Sequence, residues 1–236
     1  MEENFLNDKD RTMSTFPLRV IITGATGMVG EGVLHECLLS PEVESVLLVS
    51  RKSSGMQHPK IREIIHTDFL DLSSITFGLT GYNACFFCLG VSSVGIKKAL
   101  YEKLTYDLTM RFASTLIKQN PGMVFCYISG RGTDTSEKGK MHWARVKGKT
   151  ENDLQKLPFK AVYSFRPGIM TPTKGLKNTL PLYKWAAWLI PIINMISPHS
   201  VISLAELGRS MIHAVTCGYK KSVLEISDIL LLAPDA

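Results

Sequence analysis

The sequence lacks the features that mark secreted, membrane-spanning and metal-binding proteins. Its five cysteines have the spacing of neither a disulfide framework nor a zinc site, so we expect reduced thiols and no bound metal. Its longest apolar run, residues 185–196, contains Pro191 and Asn194 and is too short to span a bilayer. We interpret this run as a buried or substrate-side helix, with contact to a membrane surface as the alternative.

The first 16 residues also lack the apolar segment that a secretory signal contains. We therefore expect residues 1–16 to form a flexible extension and the protein to be cytoplasmic. The formal net charge is +6, but the basic residues are dispersed among acidic ones and form no long run with interleaved aromatics. This distribution predicts a small-molecule partner and no nucleic acid. A homodimer is neither predicted nor excluded.

Short segments rich in Val, Ile and Phe alternate with helical patterns as far as residue 168. This alternation is typical of an α/β fold in which helices cover both faces of a parallel sheet, and we predict a Rossmann-type doubly wound sheet. A hydrophobic content of 45% is sufficient for its core. The predicted strands are 18–23, 45–50, 61–66, 84–89, 123–129 and 161–165, and the predicted helices are 30–39, 97–119 and 138–157.

The pattern changes after residue 168. Ser203 and Glu206 have the spacing of a capping box, which predicts a helix that runs to about Cys217, and residues 222–226 predict one late strand. We expect one integrated unit, with an NAD(P)-binding domain at residues 17–168 and a small C-terminal substrate lobe with returning elements at residues 169–236.

The most informative motif is TGATGMVG at residues 23–30, which lies between an apolar strand and an amphipathic helix. Glycines at this spacing allow a tight turn, a close approach of the backbone to phosphates, and close packing of the helix on the sheet. The helix N-terminus offers unpaired N–H groups to an anion. The motif predicts a dinucleotide pyrophosphate site formed by Gly24, Thr26, Gly27, Met28, Val29 and Gly30.

The end of the second predicted strand lacks an acidic residue. Proteins that bind NAD usually place Asp or Glu there, about 20 residues after the glycine loop, to bind the ribose 2′-hydroxyl. Arg51 and Lys52 stand there instead, and a guanidinium can bind a 2′-phosphate through two hydrogen bonds. The sequence therefore favours NADP(H) over NAD(H), with a solvated basic loop as the alternative interpretation.

Other strand ends supply further candidates, because ligands of open α/β sheets bind at the carboxyl ends of the strands. Asp68, followed by Phe69, could accept a hydrogen bond from the adenine amino group or cap a helix. We expect Leu89 and Gly90 to lie beside the adenine ribose. Ser129 follows the fifth strand and is the candidate catalytic serine.

The spacing Cys85-Phe86-Phe87-Cys88 resembles a redox motif. In a strand, residues three apart point to opposite faces, so we predict that the two thiols do not meet.

Several segments in this order resemble the short-chain dehydrogenase/reductase superfamily, and most closely its atypical extended branch of NAD(P)-binding epimerase/dehydratase-like proteins, which includes the Tat-interactive oxidoreductases. The matching segments are TGATGMVG, HTDFLD, CFFCLG, YISG, HWARVKGKTE and SFRPG. The resemblance implies that Ser129 binds the substrate oxygen and that Lys147 contacts the nicotinamide ribose. It also implies that Pro167, Gly168 and Ile169 lie at the nicotinamide end.

The family's acid/base tyrosine is missing. Trp143 stands four residues before Lys147, where the family pattern has tyrosine, and an indole cannot exchange a proton near neutral pH. We expect Trp143 to line the nicotinamide pocket, and the candidate replacement donors are Ser129 through a water chain and His142. Lys147 also has the spacing for a surface ion pair with Glu151.

The sequence thus predicts an NADP-dependent oxidoreductase that acts on a small carbonyl or sugar-like substrate, with Ser129, Trp143 and Lys147 in its active site. Two alternatives remain. One is a cofactor-binding sensor or interaction protein with reduced catalysis, and the other is a nucleotide-sugar epimerase or dehydratase.

Overall fold

The structure is a computed structural model that describes residues 17–173, 175–178 and 200–233. The predictions for the extension at residues 1–16 and for the apolar run at residues 185–196 lie outside the described residues.

A parallel sheet of seven strands forms the centre of the described chain, in the order β3-β2-β1-β4-β5-β6-β9. The chain starts in the middle of the sheet, builds outward to β3, and then returns to continue on the other side of β1. This order confirms the predicted doubly wound fold, and its switch point lies between β1 and β4. The strands are β1 (Leu18–Thr23), β2 (Val43–Ser50), β3 (Ile61–Ile65), β4 (Ala84–Phe87), β5 (Val124–Ile128), β6 (Ala161–Phe165) and β9 (Val223–Leu224).

Six α-helices accompany these strands in the described residues: α1 (Met28–Leu39), α2 (Lys98–Glu102), α3 (Leu108–Gln119), α4 (His142–Leu154), α5 (Leu204–Thr216) and α6 (Ile226–Leu231). The predicted helix 97–119 consists of α2 and α3, which a π-helical turn at Lys103–Asp107 joins without a break. The predicted helix 138–157 begins later, at His142, because the Asp134 carboxylate accepts the N–H groups of Ser136 and Gly139 and holds the preceding segment in a turn.

Consecutive residues of each strand belong to different cores. Val20 and Ile22 pack with α1 and α5 on one face, whereas Ile21 packs with α3 on the other. Cys85 and Cys88 likewise pack on opposite faces, and all five thiols are free. The structure therefore agrees with the interpretation that the Cys85–Cys88 spacing is not a redox pair.

The C-terminal part returns to the sheet. The predicted late strand is β9, which pairs with β6, and the predicted capping box of Ser203 and Glu206 opens α5. A second, two-stranded parallel sheet joins β7 (Ile169–Thr171) to β8 (Val201–Ser203). This small sheet was not predicted, because three-residue strands carry too little periodicity to be recognised.

Candidate functional site

The glycine motif forms a tight turn between β1 and α1. Gly24 has a φ of +72°, a backbone conformation that other residues rarely adopt. A Cβ on Gly30 would lie 2.2 Å from the carbonyl oxygen of Gly24. Gly30 therefore lets the helix pack against the turn itself, whereas we had expected it to let the helix approach the sheet. The first N–H groups of α1 consequently lie at the carboxyl end of the sheet.

A cleft of about 700 Å³ opens from this turn across the ends of β1, β4, β5 and β6. The sheet order brings these strand ends together, although they are far apart in the sequence. Most of the predicted site residues line the cleft, namely Gly24, Gly27, Met28, Val29, Gly30, Leu89, Gly90, Ser129, Trp143, Lys147, Pro167, Gly168 and Ile169.

Five predicted site residues do not line this cleft: Thr26, Arg51, Lys52, Asp68 and Phe69. The Phe69 side chain is buried in the core, stacked on Phe112 with ring centroids 5.8 Å apart. It is therefore not free to contact a cofactor, which corrects the prediction for this side chain. Asp68 Oδ1 accepts the N–H of Leu70 at 2.9 Å, so its carboxylate holds a local turn.

The basic loop after β2 contains Arg51 and Lys52, whose side chains are exposed. The following residues are held by Glu63, a residue of the neighbouring strand β3. Its carboxylate accepts the Ser53 hydroxyl at 2.6 Å and the Ser54 N–H at 2.7 Å. The segment at the end of β2 contains no acid of its own, and Glu63 was not predicted to lie beside this loop because β3 supplies it through sheet pairing.

The hydroxyl of Ser129 is engaged within the protein. Ser129 is only 3% exposed, and its Oγ lies 2.5 Å from Glu151 Oε1 and 3.1 Å from the Phe165 carbonyl oxygen, both of them acceptors. The hydroxyl of the candidate catalytic serine is therefore already bonded to acceptors within the protein.

The carboxylate that accepts the Ser129 hydroxyl belongs to a buried ion pair. Glu151 is 1% exposed, and Arg166 donates to both of its oxygens, from Nε at 3.0 Å and from Nη2 at 2.5 Å. Arg166 also donates to the exposed carboxylate of Glu225 at 3.1 Å. Glu151 is therefore no surface partner of Lys147, which corrects that alternative. The sequence signal for the pair, Arg166 at the end of β6, was noted only as part of a motif.

Lys147 and Trp143 lie one turn apart on α4 and both line the cleft. The Lys147 ammonium donates to the carbonyl oxygen of Ser129. Burial lowers the pKa of Lys147 from 10.5 to about 8, against the opposing influence of the Glu151 carboxylate. His142, the other candidate proton donor, packs edge-on against Tyr101 and is absent from the described lining of the cleft.

Two further contacts, one at the cleft and one on α1, were not predicted. Arg131 lines the cleft and donates to the Ser200 hydroxyl at 3.0 Å. On α1, buried Glu31 accepts the N–H groups of Lys177 and Asn178 at 2.9 and 2.7 Å. Gly168 also differs from expectation: a Cβ there would lie 2.6 Å from the Ser200 carbonyl oxygen. Its lack of a side chain thus accommodates the residue that precedes β8.

The sheet order, the glycine turn and the cleft at the switch point define a Rossmann-type nucleotide-binding fold. No family model matches the sequence. Protein fmp52, mitochondrial, from Emericella nidulans is 28% identical over 161 residues, which are 64% of this chain and 66% of that protein. Protein HTATIP2 from Rattus norvegicus is 26% identical over 153 residues, or 64% of this chain and 62% of that protein. The match thus spans just under two thirds of these curated relatives.

Solved structures of nucleotide-sugar and sugar enzymes have the same fold. UDP-glucose 4-epimerase from Thermotoga maritima, solved with UDP-glucose, has a TM-score of 0.62 at 14% identity and covers 91% of this chain and 81% of its own. Glucuronic acid dehydrogenase from Chromohalobacter salexigens has a TM-score of 0.66 at 14% identity, with 94% and 85% covered. These relatives and structural neighbours support the predicted resemblance to the extended short-chain dehydrogenase/reductase type.

The prediction of a cytoplasmic protein is wrong. Relatives from Emericella nidulans, Meyerozyma guilliermondii and Debaryomyces hansenii are named as mitochondrial proteins. The prediction rested on the lack of an apolar segment, which argues only against secretion, since mitochondrial transit peptides are amphipathic and contain no such segment. Among the described helices, none has the length and apolar character needed to cross a membrane.

Proposed function

We propose that this protein is an NADP(H)-dependent oxidoreductase that acts on a small carbonyl compound. The observation that supports this most directly is the continuous cleft from the glycine turn to Trp143 and Lys147. One end offers backbone N–H groups to phosphates, and the other offers a cation and an aromatic ring beside a space for substrate.

The residues of the cleft fit a dinucleotide. Gly27 has no Cβ in the path of a pyrophosphate approaching the start of α1, and Gly90 has open space where a side chain would stand. Lys147 is suited to bind the nicotinamide ribose, and Pro167 and Ile169 to contact the nicotinamide end. When bound, the nicotinamide would supply or accept a hydride. The protein would position the two reactants and keep water from them.

The preference for NADP(H) rests on the balance of charge after β2. Arg51 and Lys52 are exposed and well placed for a 2′-phosphate, whereas Glu63, the acid that contacts this loop in the described structure, is held by Ser53 and Ser54. Two cations against one engaged carboxylate favour the phosphorylated cofactor.

Titration of the protein with NADPH and NADH, followed by tryptophan fluorescence, tests this proposal. We expect tighter binding of NADPH, loss of that preference in Arg51→Ala, and a stronger preference in Glu63→Gln, because that change removes the nearby negative charge. Failure of both nucleotides to bind would contradict the proposed function. Equal affinities that neither variant changes would contradict the NADP(H) preference alone.

Trp143 favours a second candidate, a protein that binds the cofactor as a sensor without hydride transfer. Trp143→Tyr separates the two candidates. If the wild-type protein oxidises no NADPH with a panel of aldehydes and ketones, and the variant does, the sensor candidate is supported. The nucleotide-sugar alternative predicts turnover of UDP-sugars, such as the UDP-glucose of the epimerase neighbour. The mainly apolar lining described here, which includes Met28, Val91 and Met170, favours carbonyl compounds instead.

A further inference from the structure

The described lining of the cleft contains few groups that can exchange a proton. Among its described lining residues, the side chains that titrate are Cys88, Arg131 and Lys147. Burial raises the pKa of the Cys88 thiol far above its usual range, and an arginine stays protonated in proteins. Trp143 occupies the helical position where the family has its tyrosine, and its indole is not an acid or a base near neutral pH. This leaves Lys147.

The position of Lys147 suits proton transfer. It stands one turn after Trp143 and faces the same cleft, with its ammonium anchored on the Ser129 carbonyl oxygen. That contact occupies one of three N–H donors, so two remain for a ligand. The nearby acid, Glu151, is paired with Arg166 and accepts a hydrogen bond from the Ser129 hydroxyl. Arg131, in the same cleft lining, adds a further positive charge.

We propose that Lys147 is the acid/base residue of this cleft and takes over the part that the missing tyrosine would have played. The inference rests on the proposed oxidoreductase function. As a hydride reaches the carbonyl carbon, the C=O π electron pair moves to oxygen and forms an O–H bond with a proton from the Lys147 ammonium. The products are an alcohol, the oxidised cofactor and a neutral amine, which regains its proton from water.

The direction of the pH dependence follows from a pKa of about 8 for Lys147. Reduction needs the ammonium, which is present below that pH, so kcat/KM for reduction falls tenfold per pH unit above it. Oxidation of the alcohol needs the neutral amine, so its kcat/KM rises with pH and reaches a plateau above pH 8.

The first test needs no turnover. Trace acetylation of the folded protein with acetic anhydride at a series of pH values, followed by peptide mass spectrometry, reports the protonation of each amine. We expect the midpoint for Lys147 near pH 8, well below the value of about 10.4 that is ordinary for a lysine in a model peptide. Saturating NADPH should slow the labelling of Lys147 and leave Lys140 unchanged. A Lys147 midpoint near the ordinary lysine value of about 10.4 would overturn the assignment.

The second test compares Lys147→Arg with Lys147→Met and with the control Lys140→Arg. Arginine keeps the positive charge but does not release a proton, so Lys147→Arg should bind NADPH within about threefold of wild type. Its kcat for NADPH oxidation with phenanthrenequinone should fall roughly 100-fold or more, and the alkaline limb should disappear. Lys147→Met should lose both binding and turnover, and Lys140→Arg should match wild type.

Two results separate failure of this inference from failure of the proposed function. If wild type binds no NADPH, the proposed function fails. If wild type binds NADPH and Lys147→Arg keeps both its kcat and its pH profile, the acid/base assignment alone is wrong.

Discussion

The two sides of the cleft are built on different physical principles. The glycine-turn side, at the junction of β1 and α1, presents backbone to the cleft, and its shape depends on the absence of side chains at Gly24 and Gly30. The α4 side presents Lys147 over a buried network in which Glu151 pairs with Arg166. One side is therefore specified by a local motif, and the other by polar and charged groups from the ends of β5 and β6 and from α4.

The largest expected effect comes from removing the buried Glu151 carboxylate on the α4 side of the cleft. Glu151→Ala leaves the Arg166 guanidinium in a largely buried position with only the exposed Glu225 as its ion-pair partner in the described structure, and we expect a loss of about 3–5 kcal/mol in the free energy of unfolding. Urea unfolding of the variant measures this change. The double variant Glu151→Leu/Arg166→Met removes both charges and should lose much less. A double variant that is less stable than Glu151→Ala would show that the cost does not come from the unpaired charge.

The next largest expected effect comes from adding a side chain at Gly30, on the glycine-turn side. Gly30→Ala places a Cβ 2.2 Å from the Gly24 carbonyl oxygen, so we expect a loss of about 3 kcal/mol in stability together with loss of NADPH binding. Gly27→Ala is the matched control, because its Cβ would lie 3.4 Å from the same oxygen. We expect this control to keep nearly wild-type stability and to lose nucleotide binding, as measured by urea unfolding and fluorescence titration. Similar stability losses in both variants would contradict the close packing inferred at Gly30.

The smallest expected effect comes from a change on α4 outside the cleft lining, at Asp153. Asp153, near the end of α4, bonds Tyr106, Lys149 and Lys156, and these donors hold the pKa of its carboxyl below its usual value despite the opposing effect of burial. Surface pairs contribute little, so Asp153→Asn should cost about 1 kcal/mol.

The stability contributed by Asp153 and its partners should depend on pH. Because the Asp153 pKa is lower in the folded state, its contribution is complete above the unfolded pKa of about 3.9 and is lost as the pH falls below that value. Urea unfolding at pH 7 and pH 3 measures it. The difference between wild type and Asp153→Asn should shrink at pH 3, and an undiminished difference would contradict the ion pairs.

Local patterns predicted much of the fold. The strands β1, β2 and β6, the helix after the glycine turn and the capping box at Ser203 were recognisable because their signals lie within a few adjacent residues. The small sheet of β7 and β8 was missed because each strand has three residues. The helical prediction for residues 138–157 started too early because the turn around Asp134 depends on side-chain hydrogen bonds that hydropathy does not reveal.

The site was predictable to the extent that it follows strand ends. Trp143, Lys147 and the glycine turn were identified from motifs, and they share one cleft because parallel strands end at the same edge. The orientation of the Ser129 hydroxyl was not predictable, since it depends on Glu151, 22 residues away. Glu63 beside the basic loop was missed for the same reason, because its contact arises from the pairing of β2 with β3.

By itself, the sequence determined the doubly wound sheet, the glycine turn after β1 and the tryptophan at position 143, because periodicity, glycine spacing and residue identity are local properties. Only the tertiary structure decided which polar groups are engaged with one another. It turned Ser129 toward a buried ion pair and left Lys147 in the cleft with a lowered pKa. Burial and charge partners depend on distances between segments that are remote in the chain, and no local pattern contains those distances.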